Sequence, residues 1–438
     1  MKFASLLIGA CSALAIAGTA HAATKLTIAT VNNGDMIRMQ KLTDDFKAKN
    51  PDIDLEWVTL EENALRQKVT TDIATKGGQY DVLTIGTYEV PIWAKQGWLV
   101  PLTNLGAGYD VDDILPPIRS GLSVDGKLFA APFYGESSMI MYRKDLFDAA
   151  GLKMPEKPDW DFIKAAAAKI TDKPKEIYGI CLRGKPGWGE NTAFLTTMAN
   201  SYSGRWFDEK WKPTFDGPEW KKTLDTYLDM MKTSGPPGAS SNGFNENLAL
   251  FQSGKCGMWI DATVAASFVS NPKDSKVADK VAYAPAPCGT TCKNGNWLWA
   301  WSLGIPAGSA KVEAAQKFVA WATSKEYTAL VASKEGWANV PPGTRKSLYA
   351  NPEYLKAAAF ADQTLKSINS ADPSVNGNDR PKPYVGVQFA AIPEFQGIGT
   401  AVGQQFAAAL AGTTSADQAL KNAQELTVRE MTKGGYIK

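Results

Sequence analysis

The 438-residue chain carries a single histidine, His21, and that residue closes an apolar N-terminal run. The run, MKFASLLIGACSALAIAGTAHA, combines one lysine, a small-residue apolar stretch and the triplet Ala20-His21-Ala22. This is the pattern of a secretory signal peptide over residues 1–22, cleaved before Ala23. A lipoprotein reading through Ile8-Gly9-Ala10-Cys11 ranks below it, because it leaves the largely apolar Ser12–Ala17 in the mature chain. Once the leader is removed no histidine remains, which excludes a Ser-His-Asp or Cys-His nucleophile and any imidazole metal ligand. Charge of one sign is also lacking. The remainder holds 46 basic and 45 acidic residues, scattered along the chain, and offers no electrostatic footprint for nucleic acid or an anionic surface. There is no later run long and apolar enough to span a membrane, no internal repeat and no glycine-rich phosphate loop.

Cysteine is sparse but even in number after the leader: Cys181, Cys256, Cys288 and Cys292. In an exported chain that count suggests disulfides. One bridge would close the short loop Cys288-Gly-Thr-Thr-Cys292, leaving Cys181 and Cys256, each in a strand-like run, to pair across neighbouring strands. A zinc site is the alternative, although the close C-x-x-C pairs typical of such sites are absent.

What is present is alternation of strands and helices over 416 residues, enough for two lobes of ordinary size. Leu26–Thr30 reads as a strand leading through Asn32-Asn33-Gly34-Asp35 into a helix marked by Met36, Met39, Leu42 and Phe46. Ile53, Leu55 and Trp57 alternate as a second strand; Leu65, Val69 and Ile73 mark a second helix; Tyr80–Ile85 is a buried-type strand. Such a series builds a parallel sheet with helices on its faces, and ligands bind beyond the carboxyl ends of its strands. Asn33, Glu62, Asn63, Tyr88 and Glu89 lie there. A second series follows: helix Trp160–Ile170, strand Ile177–Arg183, a loop at Gly184–Glu190, a strand at Lys210–Phe215, helix Trp220–Lys232, and strand Cys256–Asp261. Trp297, Trp299 and Trp301 alternate, so on a strand they share one face. Two helices, Gln396–Leu410 and Ala416–Lys433, end the chain.

The centre of this pattern is Ala131–Asp148, APFYGESSMIMYRKDLFD. An Asp125-Gly126 turn enters it, and Gly135-Glu136 falls between two apolar strands. Glycine weakens a strand unless the chain bends or another backbone approaches, and a buried carboxylate needs donors. The stretch reads either as a strand crossing between lobes, with Glu136 facing the cleft, or as an edge-strand bend with a solvated glutamate.

Several segments carry a family resemblance: YDVLTIGTYEVPIWAKQGWLVPL, SSMIMYRKDLF, SGKCGMWIDAT and WAWSLGIPAGS, in that order and spacing. The chain resembles the extracytoplasmic solute-binding proteins of ABC sugar importers, in the maltose-binding-like group. ATVNNGDMIRMQKL, PFYGESSMIMYRKDLF and PYVGVQFAAIPEFQGIGTAVGQQF look most like its sorbitol/mannitol (polyol) branch. The resemblance implies an α/β, two-lobe periplasmic binding protein fold (type II) with three interlobe crossings and the ligand in the cleft. It places lobe one at 23–134 and 302–344, lobe two at 138–300 and 348–438, and the crossings near 135–137, 301 and 345–347. It implies a periplasmic, monomeric, non-enzymatic receptor without cofactor or metal. Its partners would be a small neutral polyol or sugar and an inner-membrane ABC permease with its ATPase. Mapped residue by residue, the binding positions fall on Asn33, Tyr88, Glu89, Glu136 and Asp261. Where relatives place an acid and aromatics after the Ile177 strand, this chain has Arg183 and Trp188, which weakens any carry-over of maltose.

Carboxylates accept from hydroxyls with charge-assisted strength, guanidinium donates, and indole rings cover C–H faces. Glu136, Asp261, Arg183, Trp188 and Trp299 supply these functions, with Trp297 and Trp337 as further candidate walls. Blander readings stand beside them. Arg183 and Asp261 can form an ion pair internal to lobe two, Asn33, Glu62, Asn63 and Glu89 can be turn residues or helix caps, and Trp57, Trp93, Trp98 and Trp321 sit at core-like spacing. Two rival functions share the residues: a mono- or disaccharide receptor of the same fold, and a secreted glycosidase using Glu136 and Asp261 as its two carboxylates.

Overall fold

Two sheets organise the chain, and Glu136 and Ser138 stand at the point where one strand leaves the first sheet and the next enters the second. The structure is a computed structural model that describes residues 23–375 and 380–438; the leader assigned to residues 1–22 lies outside them. The strands are β1 (Thr24–Val31), β2 (Ile53–Leu60), β3 (Val82–Gly86), β4 (Ser123–Val124), β5 (Lys127–Leu128), β6 (Ala130–Glu136), β7 (Ser138–Arg143), β8 (Tyr178–Cys181), β9 (Cys256–Ala262), β10 (Val281–Pro285) and β11 (Trp299–Gly304). The first sheet has the order β2-β1-β3-β11-β6 and the second β10-β7-β9-β8. In the first, β1 runs parallel to β2 and β3, and β11 is antiparallel to both β3 and β6. In the second, β8 and β9 are parallel while β7 opposes β9.

Local chemistry accounts for the entries to the site. Asn33 accepts from the Met36 amide and starts the helix Gly34–Lys41, and Glu61 accepts from Asn63 and Ala64 to start Glu62–Thr75. Asp125 and Gly126 both take positive φ, 49° and 73°, and join β4 to β5 in a tight hairpin. At Gly135 the crossing strand meets another backbone. Its amide donates to Pro342 O, and a Cβ there would stand 2.2 Å from Gly343 O. The glycine is therefore required by close approach.

Some expectations need correction. The first helix is interrupted at Leu42 and resumes as Thr43–Lys49. Lys210–Phe215 forms no strand: Asp208 caps the amides of Lys210 and Lys212, Trp211 takes φ 65°, and one bridge pairs Phe207 with Pro213. Trp299 and Ala300 pair with Glu136 and Gly135, so β11 belongs to the first sheet two residues before the position expected for the crossing. The four cysteines form Cys181–Cys256, which staples β8 to β9, and Cys288–Cys292; these pairings replace the zinc alternative. On loop length alone the first constrains the unfolded chain by about 4 kcal/mol and the second by about 2 kcal/mol. Among the described residues no helix is long and apolar enough to cross a membrane.

Candidate functional site

The end of β1, the start of the helix Glu62–Thr75, the loop after β8, the β6–β7 crossing and the segment Trp297–Trp301 converge on a cavity of about 160 Å³. Asn33, Glu62, Glu136, Arg183, Trp188, Trp297 and Trp299 line it. The other sequence candidates sit elsewhere, for identifiable reasons. Asp261 is fully buried behind Arg183: its carboxylate accepts from Arg183 Nε at 2.9 Å and Nη2 at 2.7 Å, from Trp259 Nε1 and from the Ala262 amide. Glu89 folds back onto the Gly86 amide at 2.9 Å and lies behind Arg66. The Tyr88 hydroxyl donates to Ile392 O and accepts from the Gln396 amide, turning the ring to an outer groove. Asn63 reaches over the rim to Pro186 O at 3.1 Å. Trp337, in the turn Trp337–Asn339 after the left-handed Gly336, packs against the core.

Two buried arginines fix the walls. Besides Asp261, Arg183 donates to Gly189 O at 2.9 Å and Glu190 Oε2 at 3.2 Å. Its guanidinium lies 5.3 Å from the Phe244 ring centroid and 5.6 Å from that of Trp297. Burial alone would lower its pKa; Asp261, Glu190 and Glu62 more than reverse that and keep it charged. Arg66 donates to Glu89 at 2.5 Å and to Glu62 at 2.9 Å. It is stacked by the rings of Trp188, Trp301 and Trp299, with centroids at 4.0, 4.6 and 4.9 Å. A fork held this way spends its donors on protein, so both arginines act as rigid walls as much as ligand donors.

Glu136 differs from the other acids. It is 6% exposed, and among the described residues no side-chain hydrogen bond of the kind that holds Asp261 forms to it. The Trp297 indole lies near enough to favour its charge slightly, yet the Trp297 N–H stays without a partner at hydrogen-bond geometry. Burial pushes the carboxyl up to about 8, Arg183 offsets part of this, and Asp261 and Glu62 add to it. Glu190 is raised to about 8 as well, by burial first and Glu62 next, against the pull of Arg183. Trp188 Nε1 is a second buried indole donor without a partner. The cavity is thus lined by a carboxyl with acceptor capacity to spare and by aromatic faces, with two unpartnered indole N–H groups buried in its walls, an arrangement that suits a small hydroxyl-bearing solute.

Sequence reasoning missed Arg66, Glu190, Tyr134, Phe244, Trp301 and Gln388, all in the lining. Arg66 had a signal, since it stands one helical turn after Glu62. Trp301 belonged to the alternating triplet. Gln388 had none: it reaches the site from a distant segment and bridges the amide and carbonyl of Leu298.

The rim is in contact across the cleft. Lys185 Nζ donates to Glu61 at 2.6 Å and Asn245 Nδ2 to Asn32 O at 3.1 Å. A Cβ at Gly189 would stand 1.9 Å from Glu62 Oε1, so a larger residue there would push the Glu62 carboxylate from its place beside Arg66.

With this fold and this enclosed polar–aromatic cavity, the chain belongs to the bacterial extracellular solute-binding protein family, which it matches over residues 33–329. Its architecture is the two-sheet type II periplasmic binding protein fold, shared with the maltose-bound MalE3 of T. maritima at a TM-score of 0.78, 24% identity and 92% and 99% coverage of the two chains. Among individual proteins, it is 56% identical to a mannitol-binding protein of Pseudomonas aeruginosa over 99% of this chain and 98% of that one. The structure of an ABC transporter solute-binding protein from Agrobacterium vitis with bound D-mannitol is 74% identical, with a TM-score of 0.93, covering 95% of this chain and all of that one. A ribitol complex from Agrobacterium radiobacter follows at 28% identity and a TM-score of 0.80, with 92% and 98% coverage.

Proposed function

We propose that this chain is a periplasmic receptor that captures a linear polyol of the mannitol or sorbitol kind and delivers it, unchanged, to an inner-membrane ABC permease driven by its ATPase. The observation that carries this reading is the cavity itself: about 160 Å³, walled by indoles, with the Glu136 carboxyl in its lining held, among the described residues, by no side-chain hydrogen bond of the kind that ties down Asp261. An acyclic chain of hydroxyls presents donors and acceptors all along its length, and its C–H faces pack on aromatic rings. The volume is below the about 300 Å³ at which drug-sized pockets begin, which favours a single polyol over a disaccharide.

Arg183 and Arg66 are held by carboxylates, so little net positive charge is left for an anionic solute. Lobe one is assigned to the residues around the first sheet and lobe two to those around the second, with closure about the crossings capturing the ligand. Export of the chain follows from the leader at residues 1–22. A glycosidase mechanism finds no support at Glu136 and Asp261, because four donors saturate the Asp261 carboxylate. The test is calorimetry against D-mannitol, D-sorbitol, D-arabitol, ribitol, glucose and maltose. Heat with the hexitols and silence with maltose is expected; maltose binding with silent polyols would overturn the reading.

A further inference from the structure

Arg66 and Trp188 have two sides. One side lines the 160 Å³ cavity, and the other forms the inner wall of an outer groove of about 610 Å³. They are the two residues common to both linings. The guanidinium carbon lies over the indole, 4.0 Å from the ring centroid, so the partition between the spaces is this one cation–aromatic pair. Beyond it the groove offers Gln67, Thr70, Gln396 and Gln404 as hydrogen-bonding groups and Trp93 and Trp98 as flat rings. Amides, hydroxyls and aromatic faces are the chemistry that suits a pyranose ring.

The partition is held from behind. Thr192 Oγ1 donates to Gly399 O and Asn191 Nδ2 to Gly403 O, each at 2.8 Å, fixing the helix Phe395–Leu410 against the turn that carries Trp188. A Cβ on Gly399 would stand 2.7 Å from Trp188 Cβ. These ties stop the helix from collapsing into space left by a truncated Trp188, and Trp188 Nε1 has no hydrogen bond to lose.

Resting on the polyol reading above, we propose that the stacked Arg66–Trp188 pair is a length stop: it confines the ligand to one acyclic polyol, and removing it joins cavity and groove into a channel that accepts a polyol bearing a glycosyl group. The test is calorimetry with D-mannitol and with maltitol, a glucosyl sorbitol, on the wild type and on Trp188→Ala. The wild type is expected to bind mannitol and exclude maltitol. In Trp188→Ala mannitol weakens and maltitol affinity rises at least tenfold. If Trp188→Ala lacks a cooperative thermal transition, the double variant Arg66→Ser/Glu89→Gln, which removes the cation together with its buried partner, takes its place. A folded variant that binds mannitol yet still excludes maltitol overturns the length stop alone, as does a wild type that binds both equally. A wild type silent to mannitol and sorbitol refutes the polyol reading and the length stop with it.

Discussion

Closing the empty cleft around Glu136 should become harder as pH rises, and the size of the effect follows from the site. In the enclosed cavity burial pushes the Glu136 carboxyl up to about 8, whereas an ordinary glutamate ionises near 4.5. The closed form therefore binds the extra proton between those values. Raising pH across this window opposes empty closure by up to about 1.4 kcal/mol per unit, approaching about 5 kcal/mol in all, and the loss is complete above about 8. Glu190, raised to about 8 beside Arg183, Glu62 and Lys185, acts in the same direction. A polyol hydroxyl donating to the Glu136 carboxylate stabilises its charged form and cancels the effect. Small-angle scattering from pH 5.5 to 8.5 measures it directly. The ligand-free radius of gyration should increase with pH, saturating D-mannitol should flatten the curve, and Glu136→Gln should leave only the Glu190 slope. Identical curves for the wild type and Glu136→Gln, or a ligand-free wild type indifferent to pH, would refute the reasoning.

Three further substitutions and one control probe the site and its supports. Glu136→Ala should weaken D-mannitol binding by about 3 kcal/mol or more, the loss of two charge-assisted hydrogen bonds, with the thermal transition retained; calorimetry at unchanged melting temperature checks it. Asp261→Asn leaves Arg183 buried without its bidentate partner and should cost about 3–5 kcal/mol of stability in urea titration. Gly135→Ala forces a methyl against the Gly343 carbonyl and should cost about 1–3 kcal/mol, whereas Gly97→Ala, where no atom lies within 4 Å but φ is 70°, shows the cost of backbone strain without a clash.

The strand and helix pattern was legible because apolar periodicity sets it: the final helix occupies Ala416–Lys433 as its spacing indicates, and Asp159 caps Trp160–Ile170. Periodicity is silent where side-chain caps shape the backbone, and the segment around Asp208 and Trp211 shows it. In the site, residue types were read more easily than their directions. Glu136 and the indoles were marked by a glycine-flanked crossing and a period of two. Asp261 and Glu89 carry the same chemistry, yet point at Arg183 and Arg66 instead of the cavity, and the sequence holds no sign of which acid an arginine will claim. Gln388 acts through contacts far along the chain, which local spacing does not encode.

The Cys181–Cys256 bridge lies two residues before Arg183 and five before Asp261, so the staple sits at the root of the clamp that orients the guanidinium. While thiols are kept reduced, as in a cytosol, those two strand ends are joined by hydrogen bonds alone. Once formed, the bridge adds a covalent tie at that root, so the spacing between the Arg183 and Asp261 strand ends no longer depends on hydrogen bonds alone.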